Sequence, residues 1–255
     1  MTPTLVAAAA LLALAAPAVP AGAAGNEPPP ASPYNWGTVL DTDDVPQSNS
    51  WAMRVTANGD ADDIRLAETH SPAYEGVPEE FAGATGTRVE IEEDDESFGH
   101  IADVSTTARP NAATAAVGDL AFRLGRLGID VRGLRTGATA SPGGGPVAFT
   151  SALAGGRLTS GKKQLYAFDR PVPVNTGVRV PADPRKPAEL LVTVNEQITT
   201  DGQGRPTMGP GGRYLRDPAA TGGYVNALHV TILSPEPAEM TIGHAAVLAG
   251  RPATR

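Results

Sequence analysis

The sequence predicts an all-β fold, an antiparallel β-sandwich of the Greek-key or jelly-roll type. Two observations support this prediction. From about residue 101 onward, short runs rich in β-branched and aromatic residues alternate with Gly and Pro. Long segments with the 3.6-residue periodicity of a helix do not occur in the sequence. Many short strands without helices close most simply as two packed sheets, which predicts the sandwich.

The N-terminal segment has the composition of an export signal. Residues 1–24 carry no charged side chain, and residues 5–16 form an unbroken apolar run. This run is shorter than the roughly 20 apolar residues that span a membrane, and small residues follow it, as at a signal-peptidase site. We therefore predict that residues 1–24 are a signal peptide. Residues 25–33 include three consecutive prolines and predict a disordered, extended linker.

The composition narrows the classes of function. The chain contains no Cys, which excludes disulfides, thiolate metal sites and a cysteine nucleophile. Its formal net charge of -8 argues against nucleic acid as a partner. We expect a secreted protein, or one retained at the cell envelope, without a transmembrane span in its mature form. Cell-wall material or another extracellular protein is the expected kind of partner.

One β-sandwich domain is predicted over residues 34–250, with its clearest pattern over residues 101–249. Before residue 101, only residues 51–56 and 64–67 resemble strands. Within residues 120–134 the leucines have near-helical spacing, but three glycines interrupt them, and each would cost about 1 kcal/mol in a helix interior. That segment is therefore predicted to form two strands, residues 121–124 and 129–132, joined by a glycine-rich turn.

The strongest predicted strands are residues 190–197, 224–233 and 240–247. The connection between the second and the third is too short for a crossover helix, so these two strands are predicted to pair antiparallel. In the second strand, two-residue periodicity places Asn226 on the core face and His229 on the opposite face.

Two polar motifs, Asn195-Glu196-Gln197 and Asn226-Ala227-Leu228-His229-Val230, lie within these strands. Together with the neighbouring strand-like segments of residues 101–249, they resemble the actinobacterial choice-of-anchor P family of secreted proteins. The resemblance implies a β-rich extracellular domain of unknown activity, whose members differ in their C-terminal attachment signals. The sequence has no sortase-type Leu-Pro-x-Thr-Gly motif, so we expect release or non-covalent retention.

Calcium is the one cofactor considered, because it is an extracellular ion that prefers oxygen ligands. The candidate ligands are Asp60, Asp62 and Asp63. An EF-hand would need Gly at its sixth position and Glu at its twelfth, where Arg65 and Ser71 stand, so the EF-hand motif fails. A solvated turn without cofactor is therefore predicted, and a calcium-stabilised adhesion module is kept as an alternative function.

Two other polar runs are interpreted as ordinary connections. Residues 156–163 come within one residue of a phosphate-binding P-loop, but Lys163 stands where a Ser or Thr hydroxyl is required. A polar hairpin is predicted there instead. Residues 90–96 form a dense acidic run, which predicts a solvated, flexible loop.

No catalytic residue is assigned from the sequence. His229 and His244 are predicted to approach each other across neighbouring strands, each hydrogen bonded to backbone. Asn195, Glu196 and Gln197 are predicted to be structural, satisfying backbone groups of a neighbouring turn. The main hypothesis is thus a non-catalytic structural or interaction module. The alternative is a secreted hydrolase of wall polymer or glycan, which requires a cleft that gathers Glu196 with a histidine.

Overall fold

The computed structural model describes residues 5–6, 47–57, 64–71, 88–93, 96–141, 145–201, 204–209, 214–234 and 237–248. Within these ranges the chain forms sixteen β-strands and no helix. The described residues thus include no helix that is long and apolar enough to cross a membrane. The predicted all-β sandwich is confirmed, because the strands form two packed sheets.

The first sheet has nine strands. They are β1 (Leu5–Val6), β5 (Arg88–Glu93), β6 (Glu96–Ala102), β7 (Ser105–Arg109), β8 (Ala112–Leu124), β9 (Leu127–Thr139), β10 (Ala148–Ala152), β11 (Gly155–Ser160) and β12 (Lys163–Ala167). Their order is β1-β5-β6-β8-β9-β11-β12, with β7 also paired to β8 and β10 to β9.

The second sheet has seven strands. They are β2 (Gln47–Ala57), β3 (Ile64–Leu66), β4 (Thr69–Ser71), β13 (Thr176–Val180), β14 (Leu190–Thr200), β15 (Gly222–Ile232) and β16 (Ala238–Leu248). Their order is β13-β14-β15-β16-β2-β3, with β4 also paired to β2. Only the β1–β5 pairing is parallel among those described; the pairing of β15 with β16 is antiparallel, as predicted.

The ambiguous glycine-rich stretch is a hairpin, as predicted, but its strands are far longer than expected. β8 and β9 have thirteen residues each and meet at a turn of Gly125 and Arg126. Residues 156–163 also form a hairpin, from β11 into β12.

The prediction of a flexible loop over residues 90–96 is wrong for most of that run. Glu90–Glu93 belongs to β5, and Glu96 begins β6. The reason is that Val89 and Ile91 alternate with the acids and are buried in the core, so packing of the apolar residues fixes a strand despite the charge.

In the seven-stranded sheet, a row of backbone kinks changes which side chains face the core. Asn195 and Gly243 have φ angles of 54° and 63° and flank Ala227 on neighbouring strands. On one side of this row Val225 packs in the core, and on the other side Leu228 does. The regular alternation of a strand would put these two residues on opposite faces. The kinks therefore shift the alternation by one residue.

The nine-stranded sheet has a matching row at Gly118 and Gly133, the latter with a φ of 57°. The two rows lie against each other. Thr136 Oγ1 donates a hydrogen bond of 2.9 Å to the carbonyl oxygen of Gly243, across the two sheets. Leu134 packs so closely that a Cβ at Gly243 would lie 2.3 Å from its Cδ2 atom. Gly243 is thus required both by its φ angle and by its neighbour.

The kinks correct one prediction from periodicity. Asn226 and Leu228 lie on opposite sides of the kink row, so the two residues do not share a face. The side chain of Asn226 instead bonds to Glu196, which also bonds to His229. Asn226 and His229 therefore lie together on the outer face of the seven-stranded sheet.

We predict that Gly243→Ala destabilises the protein more than Gly125→Ala. Both glycines have positive φ, which costs an alanine about 1–2 kcal/mol, but only Gly243 has a side chain in the way. The clash with Leu134 should remove roughly 1–3 kcal/mol more from the free energy of unfolding. Urea unfolding of both variants measures the difference. The double variant Gly243→Ala/Leu134→Ala should show non-additive costs; simple additivity would contradict the proposed contact.

Candidate functional site

The outer face of the seven-stranded sheet, turned away from the nine-stranded sheet, carries a buried polar network. We call it the outer-face network; its members are Asn49, Trp51, Glu196, Asn226, His229, Glu239, Thr241 and His244. They come from β2, β14, β15 and β16, the four central strands of the sheet. All of them are buried, although most are polar. Buried polar groups at this density need an explanation in structure or in function.

The centre of the network is an imidazole held between two carboxylates. His229 Nδ1 lies 2.9 Å and 3.0 Å from the two carboxylate oxygens of Glu196, and His229 Nε2 lies 2.5 Å from Glu239 Oε1. The residues are 3 %, 2 % and 7 % exposed. Because carboxylates accept hydrogen bonds, both ring nitrogens of His229 donate, and the ring is an imidazolium.

The charge state of His229 follows from competing effects. Burial alone lowers the pKa of His229, because it disfavours the charged ring. The negative charge of Glu196, the hydrogen bonds that His229 donates to Glu196 and Glu239, and the negative charge of Glu239 outweigh burial and raise this pKa to about 10. His229 is therefore protonated throughout the neutral range.

A second branch runs from Glu196 through Asn226 to His244. Asn226 Nδ2 donates to Glu196 Oε2 at 2.7 Å, so Asn226 Oδ1 is left to face His244 Nδ1, also at 2.7 Å. His244 must then carry its proton on Nδ1. Burial, and next the charge of Arg54, hold the pKa of His244 well below its usual value, so the ring is neutral.

The neutral tautomer of His244 determines how Asn49 is oriented. Its Nε2, which carries the lone pair, lies 3.2 Å from the atom assigned as Oδ1 of Asn49. A lone pair requires a donor, so the amide nitrogen of Asn49 belongs on this side. That orientation also gives a partner to the buried Asn49 Nδ2, which has none in the opposite orientation. The branch is thereby fully hydrogen bonded from Glu196 to Asn49.

Trp51 covers the neutral histidine. Its ring stacks on that of His244 with centroids 3.6 Å apart and planes within 9°. The indole Nε1 donates to Thr241 Oγ1 at 2.9 Å, and the Arg54 guanidinium lies 5.6 Å from the indole centroid. The Trp51 ring is therefore fixed in position by an aromatic stack and a hydrogen bond.

Asn195 and Gln197 point away from this network and hold the turn before β13. Asn195 Nδ2 donates to the carbonyl of Val172 at 2.8 Å, and Gln197 Nε2 donates to Asn195 Oδ1 at 2.9 Å. Asn175 exchanges two bonds with the backbone of Gln197. The side chain of Asn195 thus has the predicted role of satisfying a backbone group of a turn, whereas those of Gln197 and Glu196 bond to other side chains. These contacts occur in the middle of β14, however, and not at a strand end.

The predicted site residues have different outcomes. The fold brings Glu196, His229 and His244 together. The prediction that the two histidines bond to backbone is wrong, because their ring nitrogens bond to side chains. All three residues are buried. The candidate calcium ligands Asp60, Asp62 and Asp63 lie outside the described residues. Among the described residues, no group of three or more acids and histidines is arranged to hold a metal ion.

Local sequence patterns do not identify Glu239, Asn49 and Trp51 as members of the network. The predicted strand begins at residue 240, whereas β16 already begins at Ala238 and includes Glu239. Asn49 and Trp51 reach His244 through the pairing of β2 with β16. Extending the predicted strand back by two residues would have revealed Glu239 opposite Thr231, next to His229.

The geometry limits what the network can do chemically. A histidine that acts as general base keeps one ring nitrogen free for the substrate while a carboxylate holds the other. Both nitrogens of His229 are taken by carboxylates, and both nitrogens of His244 are taken by amides. Each imidazole nitrogen of the network thus already has a hydrogen-bond partner.

We predict a maximum of stability near pH 6.5, the ordinary pKa of histidine in the unfolded chain. As the pH rises from 6.5 to about 10, folded His229 keeps a proton that the unfolded chain loses, so the free energy of unfolding falls. As the pH drops below 6.5, the unfolded chain protonates His244 and the folded protein does not, so stability falls again. Each slope should reach about 1.4 kcal/mol per pH unit.

Urea unfolding from pH 5 to pH 9.5 measures this profile. His229→Gln should flatten the alkaline side alone, and His244→Gln the acid side alone. An alkaline slope that persists in His229→Gln would show that another group is responsible.

We also predict that Glu196→Gln costs about 3–5 kcal/mol of stability at pH 6.5, because it leaves a buried imidazolium with one anion fewer. The matched control is Glu90→Gln, whose ion pair with Arg88 is solvent-exposed and should be worth less than about 1 kcal/mol. Adding His229→Gln to Glu196→Gln should recover part of the loss. A double variant as unstable as the sum of the two single ones would contradict the coupling.

The chain matches no protein-family model, no curated protein and no solved structure. The resemblance to the choice-of-anchor P family therefore stays a prediction, and a functional proposal has to be argued from the geometry described above.

Proposed function

We propose that this protein is a secreted or cell-envelope-associated β-sandwich that acts as a non-catalytic structural or interaction module. The observation that carries the proposal is that both ring nitrogens of His229 are bonded to buried carboxylates. Such a group can neither accept a proton from a substrate nor reach one. The acids and histidines that would serve a hydrolase are used here to join the four central strands.

The export part of the proposal rests on sequence. Residues 1–24 have the apolar run and small-residue ending of a signal peptide, and residues 25–33 have the composition of a linker. The resemblance of residues 101–249 to choice-of-anchor P proteins supports the same location. Fractionation of producing cells into cytoplasm, membrane, wall and medium tests it, and we expect the protein in the medium and wall fractions. Recovery of the full-length chain in the cytoplasm would contradict export.

A secreted hydrolase of wall polymer or glycan is the second candidate, because the network does bring two glutamates next to a histidine. In glycoside hydrolases, however, the paired carboxylates flank a bond of the substrate and leave room for it. Glu196 and Glu239 flank His229 instead, and both are buried. The ring occupies the place that a substrate would need.

We predict that the purified full-length protein releases no soluble fragments or reducing ends from cell-wall polymer or soluble glycans above a buffer control. Glu196→Gln and His229→Gln serve as matched variants, with circular dichroism to verify that they are folded. Release by the wild type that folded Glu196→Gln lacks would overturn the non-catalytic assignment. Equal, background-level readings for all three proteins, alongside a stability loss in the variants, are the expected result.

A further inference from the structure

The nine-stranded sheet carries a cluster of exposed cations at the end where two of its hairpins turn. The β8–β9 turn contains Arg126, and the β11–β12 turn contains Lys162. The amide nitrogen of Gly161 donates to the carbonyl oxygen of Arg126 at 2.6 Å, so the two turns touch. We call this cluster the basic tip; it consists of Arg123, Arg126, Arg157, Lys162 and Lys163.

Most of the positive charge at the basic tip is available to a ligand. Arg126, Lys162 and Lys163 are exposed and form no ion pair with any residue in the described part of the chain. Arg123 and Arg157 share the carboxylate of Asp130 at 2.9 Å and 2.8 Å, yet their side chains remain 50 % and 58 % exposed. Five cations and one carboxylate leave a formal charge of +4 on a chain whose net charge is -8.

The three arginines of the basic tip are held in place before any ligand arrives. Asp130 fixes two guanidinium groups at once, and Arg123 Nη1 also donates to the carbonyl of Phe122 at 2.8 Å. The Arg126 side chain lies against the β11–β12 turn, with Nε 3.9 Å from where a Cβ of Gly161 would be. Pre-positioned donors lose less conformational freedom on binding, which favours affinity.

The basic tip is elongated. Its residues lie on β8, β11 and β12 and on the turn that leads into β9, four neighbouring strands of the sheet. Neighbouring strands are about 4.8 Å apart, so the cations extend across roughly 15 Å.

We propose that the basic tip binds a linear, phosphate-bearing polymer of the cell envelope and thereby retains the protein there. Three guanidinium groups and two lysine ammonium groups suit phosphate groups, because a phosphate accepts hydrogen bonds from several donors at once. Phe122, the aromatic residue next to Arg123, is buried in the hydrophobic core and is not available to stack on nucleic-acid bases. This inference rests on the proposed envelope location, but not on the absence of catalysis.

The test is the affinity of the full-length protein for inorganic polyphosphate, measured by fluorescence anisotropy at several salt concentrations. The variant Arg126→Gln/Lys162→Gln/Lys163→Gln should bind at least tenfold more weakly and with a shallower dependence on salt. The matched control is Arg170→Gln/Lys186→Gln/Arg216→Gln, which removes the same charge from other exposed positions and should change affinity less than twofold. Thermal melting verifies that both variants are folded.

Two competitors distinguish the ligand chemistry. Polyglutamate and oligothymidylate of matched charge should each bind at least fivefold more weakly than polyphosphate. No binding of polyphosphate by the wild type, an equal loss in both triple variants, or equal affinity for either competitor would overturn the proposal. None of these results would affect the assay for fragment release, so failure of this inference and failure of the non-catalytic assignment can be told apart.

Discussion

The phase of side-chain alternation along the long strands is the constraint on which the rest of the structure depends. It changes at two facing rows of kinks, at Asn195 and Gly243 in one sheet and at Gly118 and Gly133 in the other. Because of this change, strands of eleven to thirteen residues contribute apolar side chains to the interior at both ends. The same change turns Asn226 outward, next to Glu196. The interior and the outer-face network thus have a common origin in backbone geometry.

The network shows how this protein tolerates charge where it cannot be solvated. A buried ion pair seldom adds much to stability relative to well-packed apolar residues, but breaking one is costly. His229 is accompanied by two carboxylates, and the amide of Asn226 relays hydrogen bonding onward to His244. Two histidines joined through Glu196 and Asn226 thereby take opposite protonation states. Each strand contributes a group whose partner lies on the next strand, so the register of four strands is fixed by chemistry as well as by packing.

Much of the fold could be predicted from the sequence, because β14, β15 and β16 have strong local patterns and a short connection determines how the last two pair. The candidate site could be predicted only in part. The sequence identifies Glu196, His229 and His244 as polar residues in strands. The place of Trp51, however, depends on pairing with a strand about 190 residues away. The face of Asn226 depends on positive φ angles at Asn195 and Gly243, whereas periodicity assumes unbroken alternation. Neither property is contained in a local window of sequence.

The kink rows also divide the interior. Leu228, Ile242 and Leu134 belong to the main apolar cluster, whereas Val225, Ala245 and Ala138 belong to a smaller one beyond the kinks. Partial opening of a protein tends to follow boundaries where few apolar contacts cross. In this sandwich such a boundary runs across the strands and not between them. Amide hydrogens on the two sides of Gly243 would then exchange with solvent at two distinct rates, although they lie on one continuous strand, and the end with the smaller cluster would open first.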